Sequence, residues 1–169
     1  MTDEGELVWY VETAAPQTNL FAQQLDGKPV LTRWHGKGSK NGHGYGSVII
    51  LDDKYTPINE ICPKPNFVTS DDEEPECYAD LHESFITDLG TILVTAVNTT
   101  QADLTSVGGL VDGWILDNWI FEIDIKTNEI VFSWSALEAG IPLNLSKVSI
   151  ASNVMGNGTA RSSAGIGFT

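Results

Sequence analysis

At 169 residues, 41% of them hydrophobic and 19% charged, the chain has the size and composition of one globular domain or an incomplete piece of a larger one. Nine Lys and Arg against 23 Asp and Glu leave a net charge of −14, a field of the wrong sign for phosphate backbones or anionic membrane. Nucleic acid is therefore excluded as a partner, and no apolar run approaches the roughly 18 residues of a membrane helix.

Proline and glycine cut the sequence into short pieces without helical periodicity, and what recurs is strand, polar turn, strand. An early strand is predicted at Glu6-Leu7-Val8-Trp9-Tyr10-Val11. The first hairpin joins residues 20–25 to 30–34 through Asp26-Gly27, where glycine accepts the positive φ that a tight turn demands. The second joins residues 46–51 to 55–61 around Asp52-Asp53-Lys54, with Pro57 marking a sheet edge. The third joins 83–87 to 91–97 around Asp88-Leu89-Gly90, and the fourth joins 119–125 to 129–134 around Lys126-Thr127-Asn128. Residues 36–46, 62–81 and 98–118 read as long loops, which commonly carry function.

The turn centres Gly27, Lys54, Gly90 and Asn128 are spaced by 27, 36 and 38 residues. That spacing suits β-propeller blades, each a four-stranded sheet, with a β-sandwich of ordinary hairpins as the alternative. The expected fold is thus all-β, a partial propeller of about three to four blades over residues 1–145. An irregular Ser-, Gly- and Asn-rich tail over 146–169 follows it. An open ring of this kind exposes its terminal blades and invites self-association.

Of the three histidines, His82 stands where a loop hands over to a strand, in Ala79-Asp80-Leu81-His82-Glu83. At the entry of an inner blade strand it would face a channel, fit to bind an oxyanion or move a proton; the competing role is a structural hydrogen bond. The segment Gly36-Lys37-Gly38-Ser39-Lys40-Asn41-Gly42-His43-Gly44-Tyr45-Gly46 lacks the spacing of a phosphate loop and has no helix after it. It reads as a solvated connector, or as a locally basic loop whose Lys37 and Lys40 draw in an anion. Asp71-Asp72-Glu73-Glu74-Pro75-Glu76 lacks the alternating ligands and glycine of a calcium loop. His35 and His43 without nearby cysteines make a weak metal pair, so no metal and no cofactor are expected. Most of the five tryptophans read as core; Trp114, in a loop after Asp112-Gly113, is the one expected to meet a ligand.

Signals about the cellular compartment oppose one another. The acidic start Met1-Thr2-Asp3-Glu4-Gly5-Glu6 has neither the basic nor the apolar region of a signal peptide. Yet Asn98-Thr99-Thr100, Asn144-Leu145-Ser146 and Asn157-Gly158-Thr159 are glycosylation acceptor triplets. Cys62 and Cys77 flank one Pro-rich acidic loop, expected to lack an apolar anchor of its own, and would form a single disulfide in an exported protein.

The chain resembles the arylsulfotransferase (ASST) propeller family in its fungal form. The matching stretches are Gly5-Glu6-Leu7-Val8-Trp9, Leu31-Thr32-Arg33-Trp34-His35-Gly36, and Gly42-His43-Gly44-Tyr45-Gly46 with Leu51-Asp52-Asp53-Lys54-Tyr55. They continue through Asp80-Leu81-His82-Glu83, Val107-Gly108-Gly109 with Asp112-Gly113-Trp114, and 121–125 with Phe132-Ser133-Trp134. The resemblance implies a six-bladed parent, secreted or membrane-anchored, that moves sulfate from an aryl sulfate to a phenol without a nucleotide donor. It places His82 at a channel histidine that contacts sulfate; on the blade reading, Trp114 and the Gly42–Gly46 loop with His43 are expected on rims of the same face as further substrate-binding residues. The substrates implied are small sulfated or phenolic molecules. The family's nucleophilic histidine has no counterpart here, so the chain is expected to be a fragment inactive as a sulfotransferase. The alternative is a non-catalytic propeller segment that binds a small anion, a glycan or a protein.

Overall fold

The computed structural model describes residues 3–69 and 74–145, and the protein over that span is all-β. Eight strands follow in chain order: β1 (Gln17–Leu25), β2 (Lys28–Gly38), β3 (Gly44–Leu51), β4 (Pro57–Ile61), β5 (Ser84–Ile86), β6 (Thr91–Ala102), β7 (Gly113–Asp124) and β8 (Ile130–Ser135). They form two four-stranded antiparallel sheets with meander orders β1-β2-β3-β4 and β5-β6-β7-β8. The four hairpins thus combine in pairs. Among the described residues there are two sheets and no closed ring, where hairpin spacing suggested three to four blades.

Each hairpin is closed by local chemistry. Asp26 and Gly27 have φ of 52° and 72°, the two positive values of a type I′ turn, which matches the twist of its flanking strands. In the β3–β4 turn the Asp52 carboxylate accepts the amides of Lys54 (2.9 Å) and Thr56 (2.8 Å). Asp124 does the same for Lys126 and Thr127 before β8. These backbone N–H groups hold the carboxyls of both aspartates below the ordinary aspartate value. Pro57 opens β4, an edge strand, where a missing N–H costs no ladder bond.

The core lies between the sheets. Val30, Trp34, Val48, Ile50 and Ile61 of the first meet Ile92, Val94, Ala96, Phe121 and Ile123 of the second. Polar side chains knit the same interface. The Gln23 amide donates to Ser84 O (3.2 Å) and accepts from Ile86 N (2.7 Å), so β1 and β5 lie side by side. At the far edge Asn59 donates to Ile125 O, and Asn128 accepts from Cys62 N.

Several sequence expectations are corrected. Residues 6–11 run exposed and outside either sheet, because no strand lies beside them to complete a ladder; Trp9 instead stacks on Tyr55 at 5.2 Å. Two of the long loops are largely strand: β2 and β3 leave only residues 39–43 between them, and β6 and β7 leave 103–112. Trp114 therefore belongs to β7, half-buried and paired with Gln101, and not to a loop. The loop 62–77 does have an apolar anchor, since the Phe67 ring packs among Tyr78, Trp119 and Phe121. Cys62 and Cys77 are disulfide-bonded with Cα atoms 4.8 Å apart. No helix among the described residues is long and apolar enough to cross a membrane.

Candidate functional site

A joint where residues 79–82 cross from one sheet to the other carries His82. Ala79 pairs with Gly46 of β3 through two backbone bonds, Gly46 N to Ala79 O (3.0 Å) and Ala79 N to Gly46 O (2.9 Å). The next amide, Asp80 N, donates to Thr95 O of β6 at 2.8 Å. Beneath this crossing the Trp34 indole is 1% exposed and donates Nε1–H to Ala79 O at 2.9 Å. The glycine-rich segment exists for this packing. A Cβ on Gly44 would stand 2.8 Å from the Trp34 ring and 2.9 Å from the Leu81 side chain, too close for any larger residue. Gly36 and Gly46 face each other across β2 and β3 over the same indole. A flexible connector is therefore not what these glycines make.

Asp80 is 4% exposed, and both its oxygens are engaged. Oδ1 accepts Gly44 N–H at 2.7 Å, which ties the start of β3 to the joint. Oδ2 accepts His82 Nδ1 at 2.6 Å and His82 N at 3.3 Å. An acceptor at Nδ1 selects the tautomer that carries its proton there, so Nε2 is the ring atom left to meet a ligand. The His82 side chain is 58% exposed, and the residue stands two positions ahead of β5. Buried carboxylate and exposed imidazole form an orienting pair, suited to contact an anion when the ring is cationic or to take a proton when it is neutral.

The other two histidines are placed differently. His43 is 5% exposed; its Nε2 lies 3.0 Å from the Tyr45 hydroxyl and its Nδ1 3.3 Å from Ser39 Oγ. It neighbours the His82 joint through Gly44, but its ring is enclosed. His35 lies on β2 one position from Trp34, so it points to the opposite face of the first sheet. Trp114 is not brought to His82. Its partner Gln101 lies six residues along β6 from Thr95, whose carbonyl accepts the Asp80 amide at the joint, a distance on the order of 20 Å at strand rise. Asp80 is the residue that sequence reasoning missed, although an Asp two positions before a His was there to be seen.

No group of three or more His, Cys, Asp and Glu among the described residues is arranged to hold a metal. Asn98 lies inside β6, where its side chain accepts Val68 N at 3.0 Å, whereas Asn144 is exposed in a short 3-10 turn (Leu143–Leu145). Asn157 and the whole of the tail predicted as irregular, 146–169, lie outside the described residues. Compared with known proteins, residues 21–164 match the family model described as arylsulfotransferase (ASST). No curated protein and no solved structure matches the chain.

Proposed function

Since the chain belongs to the arylsulfotransferase family, we propose that it contacts the sulfate of an aryl sulfate through His82, held by Asp80, in a partial propeller. The observation that carries this is the 2.6 Å bond from a buried carboxylate to an exposed imidazole at the joint between the sheets. The adjacency of β1 and β5, the first strand of each sheet, supports reading the sheets as successive blades with these strands innermost. The parent reaction is sulfuryl transfer to a phenol. In it the S–O(aryl) bond breaks, a new S–O bond forms to the acceptor, and the acceptor's proton passes to a base. Cationic donors aimed at the sulfuryl oxygens stabilise that transfer.

His82 is proposed as a sulfate contact and not as the covalent relay. His43 is enclosed by Ser39 and Tyr45, and His35 lies on the far side of the first sheet, so neither stands beside His82 to share the group. The 169-residue chain by itself should therefore bind sulfate without turnover. The test has two parts. Chemical shifts of the His82 ring should move saturably with 4-nitrophenyl sulfate, and the neighbouring signals that move with them should stay still in a His82→Ala background. Incubation with 4-nitrophenyl sulfate and phenol should release no nitrophenol above buffer. Acceptor-dependent release abolished by His82→Ala would instead make this chain a sulfotransferase, and unmoved His82 signals would remove its sulfate role. The non-catalytic reading, a small-anion binder, is favoured over a complete enzyme by the enclosure of His43.

A further inference from the structure

The edge strands of the two sheets are not guarded alike. β1 is broken by a bulge between Thr18 and Phe21, where Asn19 has a φ of 55°, and it lies against β5. β5 is only three residues long, and the Gln23 amide takes its Ile86 N–H and its Ser84 carbonyl. β4 carries Pro57 and Glu60. Bulges, short length, proline and charge all keep an edge strand from pairing with another chain. β8, Ile130-Val131-Phe132-Ser133-Trp134-Ser135, holds no proline and no charge, and among the described residues it has a neighbour on one side only. Its register skips Val131, which leaves Phe132 to Ser135 in regular ladder with β7. Phe132, Ser133 and Trp134 alternate between the two faces of the sheet, yet all three are exposed. This edge is open on both faces as well as alongside.

Residues 7–11, Leu-Val-Trp-Tyr-Val, have the complementary character. They are β-branched, aromatic or aliphatic throughout, the composition of a strand. No backbone hydrogen bond involves any of them among the described residues. Leu7, Val8, Tyr10 and Val11 are 42–70% exposed, so apolar side chains face solvent from successive positions. Two contacts hold this part of the chain on the first sheet: the Trp9 stack on Tyr55, and Pro16 O, which accepts Gly36 N–H. A strand-forming segment without a ladder therefore sits on one sheet, while an unguarded ladder without a strand ends the other.

We infer that residues 7–11 of one molecule add to β8 of a second copy of this chain, as a fifth strand on its second sheet. The added strand satisfies the outward N–H and C=O groups of Phe132 to Ser135 and covers its apolar side chains with Leu7, Val8, Tyr10 and Val11. Every molecule carries both halves, so mutual addition closes a pair and one-way addition builds a chain of molecules. β8 lies at the opposite end of the second sheet from β5, the strand that follows His82, so the contact is independent of the sulfate reading.

The experiment compares the full-length parent with Val8→Pro and Val8→Thr. Val8 is exposed and outside both sheets, so neither change touches the folded core, and equal melting temperatures check this. Sedimentation should show the parent and Val8→Thr associating alike. Val8→Pro, which removes a ladder N–H and breaks the strand, should weaken association by roughly tenfold or more. A synthetic peptide of residues 4–13, added to isotopically labelled Val8→Pro protein, should shift the amides of Phe132 to Ser135 saturably. The same peptide carrying Val8→Pro should leave them in place. A parent that stays monomeric at every concentration overturns the inference. So does Val8→Pro associating as strongly as the parent, which would mean that exposed sheet faces stack instead, and so do peptide shifts that fall on β4 or nowhere.

Discussion

Asp80 holds three groups with two oxygens: the Gly44 amide at the start of β3, the His82 amide, and the His82 ring. Asp80→Ala would leave the buried Gly44 N–H unpaired, and we expect a loss of about 1–3 kcal/mol in urea denaturation. Asp80→Asn retains one acceptor and should cost less, yet it should redistribute the His82 proton between Nδ1 and Nε2. Imidazole ¹⁵N shifts read that directly, and an unchanged tautomer would deny Asp80 its orienting role. Asp52 and Asp124 act on turns instead of the site. Their carboxyls are depressed in the folded state, so the stabilisation they lend is present above the unfolded value and is lost as pH falls through the lower, folded one. Thermal melts should therefore fall below about pH 4, and by less in a D52N/D124N variant than in the parent. At this scale the sequence showed His82 as a candidate and hid its partner. A carboxylate in a polar loop looks solvated until the chain's crossing between sheets buries it.

The four hairpins were legible because their turns carry the residues that tight reversals need. Asp26-Gly27 and the aspartates ahead of Lys54 and Lys126 each close a turn by backbone chemistry confined to a few residues. Strand length was not legible. Asn98, Thr99 and Thr100 on β6 face Asp117, Leu116 and Ile115 on β7, so a polar run that reads as loop is in fact paired. The 62–77 segment teaches the same lesson, because Phe67 has only Val68 for apolar company in sequence yet finds three aromatic rings in space. Two restraints therefore hold this loop. Reducing the disulfide, which spans 15 residues, should cost about 3 kcal/mol through the unfolded state. Phe67→Ala, at a half-buried position, should cost about 2 kcal/mol. Alkylation without reductant should add no mass; two modified thiols would show that the bridge does not form in the isolated protein.

Across the whole molecule, each sheet packs one face against the other, and the second sheet leaves part of its outer face exposed while β3 of the first is buried on both faces. On the second sheet Phe85, Leu93, Glu122 and Phe132 form one cross-strand row, and Phe85 and Phe132 are 62% and 52% exposed. Glu122 interrupts that row, but Trp134 and its partner Ile120, 36% and 38% exposed, lie beside Phe132 on the same face, and exposed apolar surface of this sort drives association. Sedimentation of the parent should show mass rising with concentration, and Phe132→Lys should return it toward monomer without lowering the melting temperature. The Gln23 amide has a consequence in time as well as in space. Its bonds to Ser84 and Ile86 span 61 and 63 residues, and those of Asn59 and Asn128 across the far edge each span 66. Hairpins close over a few residues, whereas docking must wait for ends far apart along the chain to meet. Each meander can form early on its own, and the burial of Trp34 at the joint comes last. In refolding experiments the far-UV signal of the strands should recover ahead of indole fluorescence, and Gln23→Ala should slow the fluorescence phase alone.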